Sequence, residues 1–510
     1  MRHLDRHPWL WLLIGAALIF ASQLRFGVGA LAWLAPIPWL RYLRITSGWR
    51  SRALVMAAFG AVWTLTVVKI VTAPVPLAMA PLFGLPTTVM LGTPYLLWSF
   101  ARPRLGERLA PLFFATSMVT GEWISHAFLP LGTWGAAANT QLDHLALLQL
   151  ASVTGLHGVS FLVYWVAASA ESALADRARW RQAATALASV VAVVTFGQAR
   201  LALSDARDPE TVRVATVDTD ATFGASPDLP APAELARADD ALASRTREMA
   251  RAGARMVVWP EGATLVRPDE ETAFLARTRE LARSERITLV AAYIIPIELE
   301  PLRYRNEYVL VTPEGEIAHR YAKHEPVPGE PAVRGEEPTP VYVSGELGRV
   351  SGAICYDYDF PRLGLAHGRL DVDLVALPSS DWRGIHPLHT RMAAVRAIEG
   401  GQSVLRSTRF GLSAGVDPYG RMRAVHGHFD PGARSMLVEL PRHRVPTIYA
   451  VIGDAFPIAA AVLTLAALVL PIVRRYAARS WRSSPSPAGP SRTPASASAS
   501  TSSASSRTPG

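Results

Sequence analysis

Val350-Ser-Gly-Ala-Ile-Cys355-Tyr-Asp357 is a short β-branched run that ends in a thiol. Such a run, bounded by turn residues, reads as a buried strand. Cys355 is the only cysteine in 510 residues. One cysteine excludes an intrachain disulfide framework and any CxxC metal or redox site. Taken alone, a cysteine at a strand end is most often a small packed hydrophobe.

Outward from this stretch, residues 208–448 alternate short strands with helices. Strands are expected at 211–217, 255–259, 287–293, 350–354, 374–377, 403–406 and 412–416, with a hairpin over 308–321. Helices are expected at 232–252, 270–284 and 388–400. The alternation argues for a layered α/β domain whose sheets are covered by helices. Glu261 and Lys323 fall, like Cys355, just past strand ends, where such domains gather site residues from distant parts of the chain. The three residue types form a coherent set. A thiol is mostly protonated at neutral pH and needs a base, which a carboxylate supplies. An ammonium then stabilises the thiolate and the oxyanion of a tetrahedral intermediate.

The rest of the chain has a different composition. Half of all residues are apolar and only 18% are charged, against about a quarter charged in an ordinary soluble protein. The apolar stretches number about seven before residue 200, namely 8–23, 27–43, 53–73, 76–100, 109–127, 145–170 and 182–200. An eighth lies at 453–473. Each approaches the roughly 20 residues a spanning helix needs. With the N-terminus inside, the loops on that side carry Arg41, Arg44, Arg50 and Arg52, then Arg102, Arg104 and Arg108, then Arg177, Arg179 and Arg181. The short outer loops carry almost none, so the positive-inside rule puts 208–448 outside the cytoplasm. The net charge of +9 is thereby explained by membrane topology, and a nucleic-acid partner is not expected. The Ser/Pro/Ala-rich tail, 483–510, cannot bury a core and is expected to be a disordered cytoplasmic segment.

The motifs together resemble a known family. Val257-Val-Trp-Pro-Glu-Gly262, Tyr321-Ala-Lys323 with Pro-Val-Pro-Gly-Glu330, and Gly352-Ala-Ile-Cys-Tyr-Asp357 resemble the nitrilase (carbon–nitrogen hydrolase) superfamily. With spans before and after, the chain is similar to its membrane-embedded apolipoprotein N-acyltransferase family. Gly121-Glu-Trp123, the run 148–161 and the segment Ser380-Asp-Trp382 through Thr408 add to the likeness. The resemblance implies a multi-pass α-helical membrane domain plus an α/β nitrilase-like αββα sandwich. It implies Glu261 as general base, Lys323 as oxyanion and thiolate stabiliser, and Cys355 as nucleophile. Glu330, Tyr356 (through its backbone N–H) and Asp357 would support them, and Trp382, His389 and Glu122 are candidate substrate-binding residues. The implied reaction is ping-pong. A membrane phospholipid acylates Cys355, and the amine of a diacylglyceryl lipoprotein takes the chain from the thioester. No cofactor or metal is implied, a monomer is expected, and the location would be the bacterial inner membrane with the catalytic domain facing the periplasm.

The sequence departs from the family pattern at several points. Asp357 stands where Glu is usual, the arm between Lys323 and Cys355 is short, and Arg409-Phe-Gly411 replaces an Asn-containing turn. Two other readings therefore stay open: a membrane-tethered amidase, and a diverged acyltransferase with another amine acceptor. A non-enzymatic lipid-binding scaffold is disfavoured by the intact Glu/Lys/Cys set. His386, His389, His426 and His428 lack a neighbouring ligand set, so no metal site is read from them.

Overall fold

The computed structural model describes residues 2–206, 209–221, 230–432 and 434–483. The tail from 484 onward, and with it the expected disorder there, lies outside the described residues. The chain divides into a unit Met1–Ala467 and a second unit Leu468–Gly510. The first holds everything discussed below.

Its N-terminal part is helical: Trp9–Ser22, Pro36–Ile45, Trp49–Val67, Ala80–Phe128, Leu156–Ala175 and Trp180–Asp205. Among the described residues, three helical stretches are long and apolar enough to cross a membrane, Leu77–Phe128, Leu156–Ala175 and Arg177–Ser204. The expected stretches 76–100 and 109–127 both lie in Ala80–Phe128, which breaks between them at Gly106, where φ is 73°. The stretch 27–43 is split into Gly29–Ala32 and Pro36–Ile45, because a proline ring clashes with the preceding turn. The stretch 145–170 is split at Gly155 (φ 66°) into two short turns and the helix Leu156–Ala175. A side chain at Gly155 would also sit 2.6 Å from the Tyr449 ring. The eighth stretch lies in the helix Ala455–Ser483, whose part Ala455–Leu470 is apolar.

One end of this helical region is tied by charge. Arg44 pairs with Glu107 at 2.8 Å and with Glu171 at 2.7 Å. Arg102 and Arg179 also reach Glu107, and Arg41 pairs with Asp5. The N-terminal segment and the loops near residues 41–44, 102–107 and 176–181 thus converge on one partly buried network. At their opposite ends the helices Trp49–Val67 and Ala80–Phe128 supply residues to a cleft described below.

The strands are β1 Thr211–Val217, β2 Met256–Val258, β3 Thr264–Leu265, β4 Thr288–Leu299, β5 Leu302–Val311 and β6 Ile317–Ala322. They continue as β7 Tyr342–Ser344, β8 Gly348–Gly352, β9 Leu374–Ser380, β10 Ser403–Arg409, β11 Leu412–Val416, β12 Met422–Gly427 and β13 Ser435–Pro441. Two mixed sheets result, ordered β13-β1-β2-β4-β5-β6 (with β3 on β4) and β12-β11-β10-β9-β8-β7. Alternation along the strands builds the layers, since successive side chains face opposite sides. Met256, Val258, Val290, Ala292, Tyr308 and Leu310 pack with Val350, Val375 and Leu405 of the other sheet. The intervening Val257, Leu289, Ala291 and Val309 pack on Leu242 and Phe274 of helices Pro232–Arg251 and Glu271–Glu285. The second sheet is covered by Pro361–Arg369 and Leu388–Gly400. The latter helix is a seam: Ala393, Ala394 and Ala397 face the sheet, while Val395 and Ile398 pack with Leu147, Leu148, Leu156 and Val159 of the helical region. The domain is the four-layered sandwich of two mixed sheets between helices, with β3, β7, β12 and β13 added to the expected strands.

Candidate active site

Cys355 is delivered by a sharp change of direction. β8 ends at Gly352, and Ala353-Ile354 lead into a single 3-10 turn, Cys355–Asp359. Cys355 itself has φ 50°. A non-glycine residue in the left-handed region carries strain that only a well-determined surround can hold. Gly352 supplies part of that surround, because a Cβ there would meet the backbone oxygen of Ala376 at 2.7 Å. Asp357 supplies the rest. Its Oδ2 accepts the Ile354 N–H at 2.9 Å and the Tyr321 hydroxyl at 2.8 Å, and its Oδ1 accepts the N–H groups of His324 and Glu325. One carboxylate thus pins the nucleophile turn to the segment that follows Lys323. Burial raises its pKa to about 7 against the opposing effect of these donors.

Glu261 follows β2 through Trp259-Pro260, and its N–H donates to the Ser379 carbonyl at 3.2 Å. Lys323 follows β6, and its N–H donates to the Asn306 carbonyl at 2.9 Å. The two side chains meet at 2.8 Å, and the Lys323 ammonium also reaches Glu330 at 2.7 Å. Asn306 on β5 joins the same group, donating its amide to Glu261 at 2.7 Å and to Glu330 at 3.2 Å. Burial would lower the Lys323 pKa, but Glu261 and Glu330 outweigh it and hold the ammonium well above its ordinary value. For Glu330 burial raises and Lys323 lowers, with a net lowering. Cys355 goes the other way: burial pushes the thiol well up and the Glu261 charge adds to this, with Lys323 opposing. Cys355 therefore rests as a thiol, and its S–H donates to the Ser380 carbonyl at 3.4 Å.

These groups sit at the floor of a cleft of about 680 Å³. One wall belongs to the α/β domain, with Tyr304, Val327, Tyr356, Trp382 and Arg409. The other belongs to the helical region, with Trp63, Val67, Ile70, Pro74, Met79, Phe83, Leu131 and Trp134. An apolar wall of this kind beside a charged triad suits a long hydrocarbon chain and a reacting polar group.

The chain matches the family model described as Apolipoprotein N-acyltransferase N-terminal domain over residues 15–169, and Carbon-nitrogen hydrolase over 213–445. The Apolipoprotein N-acyltransferase of Rhodopseudomonas palustris is 28% identical over 441 residues, covering 78% of this chain and 79% of that one. That of Caulobacter vibrioides is 30% identical over 369 residues, covering 65% and 67%. The chain belongs to the apolipoprotein N-acyltransferase family. Among solved structures, an amidase from Nesterenkonia sp. aligns with 22% identity and a TM-score of 0.38, over 46% of this chain and 93% of that one.

Within this apolipoprotein N-acyltransferase family member, the remaining candidates fall in different places. Trp382 lines the cleft, and its indole N–H donates to the Ile70 carbonyl at 2.6 Å. Tyr356 lines it too, with its hydroxyl on the Pro130 carbonyl at 3.0 Å. His389 borders the cleft but is buried between two carboxylates. Glu122 is not among the cleft residues. Its Oε1 accepts the Ala137 N–H and the Tyr164 hydroxyl, beside the His126–His157 pair. That oxygen joins two helices and the loop between them, which a pattern of charges in apolar segments does not reveal.

Sequence reasoning missed Asn306, Asp359 and Arg406. The polar run Arg303–Glu307 made β5 look shorter than it is. Among the described residues, Cys355, Asp381 and His389 form a group whose ligand-type atoms lie within 4.8 Å of one another. The Asp381 oxygens are already engaged in ion pairs with His389 and Arg406, so the trio is not an open set of metal ligands.

Proposed function

We propose that this chain N-acylates the diacylglyceryl-cysteine of apolipoproteins, taking the acyl chain from a membrane phospholipid through a thioester on Cys355. Lipoprotein N-acylation is the family's reaction. The observation that carries the route through Cys355 is the cleft, in which a buried Glu/Lys/Cys set meets an apolar wall from the helical region.

In the first half, Glu261 takes the thiol proton as sulfur attacks the ester carbonyl. Lys323 and the Tyr356 backbone N–H face the developing oxyanion, in a water-poor site where such dipoles act strongly. The carbon–oxygen bond breaks, and Glu261 returns the proton to the departing lysophospholipid oxygen. In the second half, the lipoprotein amine attacks the thioester and Glu261 accepts its proton. The new amide forms, the carbon–sulfur bond breaks, and the proton returns to sulfur. Glu330 and Asn306 keep Lys323 and Glu261 in place throughout.

A multi-pass arrangement with the catalytic domain on the periplasmic side fits the same picture. The arginine-rich loops expected inside share one ion network at the end of the helical region remote from the cleft. The triad and both cleft walls come from one chain, which supports action as a monomer.

The test is intact-mass analysis of the full chain after incubation with phospholipid. Wild type gains an acyl mass, while Cys355→Ala and Glu261→Gln do not. A wild type that gains none overturns the route through Cys355. A thioester that is cleared by water but not by a diacylated lipopeptide marks a hydrolase.

A further inference from the structure

Beside the nucleophile, four ionisable side chains form a closed cluster that the reaction above does not use. His389 Nδ1 lies 2.7 Å from Asp381 Oδ1, and its Nε2 lies 3.1 Å from Asp359 Oδ1. Arg406 holds Asp381 with Nη2 at 2.9 Å and Nη1 at 3.2 Å. All four residues are at most 5% exposed. Arg406 Nη2 also lies 3.0 Å from His389 Nδ1, but each ring nitrogen faces a carboxylate oxygen, which favours the imidazolium that donates from both. Burial alone would lower its pKa, but Asp359 and Asp381 raise it to about 9. With two cations and two anions the cluster is neutral.

Each carboxylate leads to a different part of the site. Asp381 follows Ser380, whose carbonyl accepts the Cys355 S–H. Asp359 closes the nucleophile turn and grips the loop at 129–136. Its Oδ2 accepts the Trp134 indole N–H at 2.8 Å, and its carbonyl accepts the Thr133 N–H at 3.0 Å. Gly132 approaches so closely, with φ 53°, that a Cβ would lie 2.7 Å from that of Asp359. This loop supplies Leu131 and Trp134 to the cleft wall. The closeness of Cys355, His389 and Asp381 invites a reading of His389 as the base. The geometry opposes it, since Asp359 occupies Nε2 and Asp381 and Arg406 occupy Nδ1.

We propose that His389 is a positioning residue: by bridging Asp359 and Asp381 it locks the nucleophile turn and the Trp134 wall in one register. The acyl carbonyl then meets Cys355 aligned. The proposal rests on Cys355 as nucleophile.

Single-turnover acylation of the full chain in phospholipid–detergent micelles, read by intact mass, tests it with three variants. His389→Gln leaves Asp359 without its cation, and Asp359→Asn leaves an excess positive charge. Each slows acylation at saturating phospholipid by about tenfold or more, the scale of a small misplacement at a reacting centre. The half-saturation concentration moves much less. The double variant His389→Gln/Asp359→Asn restores neutrality and lets two amides carry the hydrogen bonds from Trp134 to Asp381. It recovers a rate within about threefold of wild type, a coupling that only interacting neighbours show. A single variant at the wild-type rate overturns the proposal. So does a double variant no faster than the slower single, the result expected of a base. Should the single variants not fold, the double variant decides alone, supporting the proposal near the wild-type rate and overturning it when more than about tenfold slower. A wild type that gains no acyl mass is a separate result, and removes the nucleophile reading together with this one.

Discussion

Lys323 Nζ lies as close to Glu330 Oε2, at 2.7 Å, as to Glu261 Oε1, at 2.8 Å. One ammonium is shared between two carboxylates, so neither holds it exclusively. Glu330→Gln removes the competitor, and the full charge of Lys323 then falls on Glu261 and weakens it as a proton acceptor. Thioester formation is expected to slow by about 10²-fold, the usual worth of a well-matched base. Single-turnover mass analysis checks this, and an unchanged rate would remove Glu330 from the machinery.

Gly352→Ala places a methyl group against the Ala376 carbonyl, a backbone atom that cannot swing away. Overpacking of this kind costs about 1–3 kcal/mol, and here it acts three residues before the nucleophile. A lowered melting temperature and a lowered acylation rate are expected together. Thermal unfolding of the micellar protein measures the first.

Trp382→Phe keeps an aromatic ring in the cleft wall but abandons the Ile70 carbonyl. The loss is about 1 kcal/mol, and it loosens the contact between the two walls rather than the triad. The concentration of phospholipid needed for half-saturation rises, while the saturated rate is nearly kept. A collapse of the saturated rate would instead place Trp382 at the chemistry.

The alkaline stability of the protein follows from His389. Its folded-state pKa, about 9, lies above the unfolded value of about 6.5. The stabilisation is therefore complete below pH ~6.5 and is lost as pH rises toward 9, a change of roughly 3 kcal/mol. Asp357 and Glu399, each raised to about 7 chiefly by burial, lose theirs at lower pH and do not account for a fall above pH 8. The melting temperature of wild type should drop between pH 7.5 and 9. The drop should be flattened in His389→Gln/Asp359→Asn.

Glu261, Lys323 and Cys355 were readable because each ends a local apolar run, and strand ends in layered α/β domains converge. Glu330 and Asp357 were readable because they sit within a few residues of Lys323 and Cys355. The partners of His389 were not, because Asp359, Asp381 and Arg406 come from a turn, a strand end and a strand that meet only after both sheets form. The loop at 129–136 carries no charge to flag it. Its role arises from an indole and a glycine that fit Asp359, a matter of shape rather than composition. β12 and β13 escaped notice because Met422–Gly427 alternates with arginine and histidine and lacks a continuous apolar run. The break at Gly155 was not readable in the same way, because hydropathy averages over a backbone event that leaves the apolar tally unchanged.

The cleft draws its reactive groups from residues after 260 and most of its apolar wall from residues before 135. The two contributions are encoded far apart and meet at Trp382–Ile70, Tyr356–Pro130 and the Asp359 clasp. Substitutions at Trp63, Val67 or Phe83 can change which hydrocarbon chains fit without disturbing a single charge around Cys355. Chemistry and selectivity in this enzyme are thereby free to evolve on separate schedules.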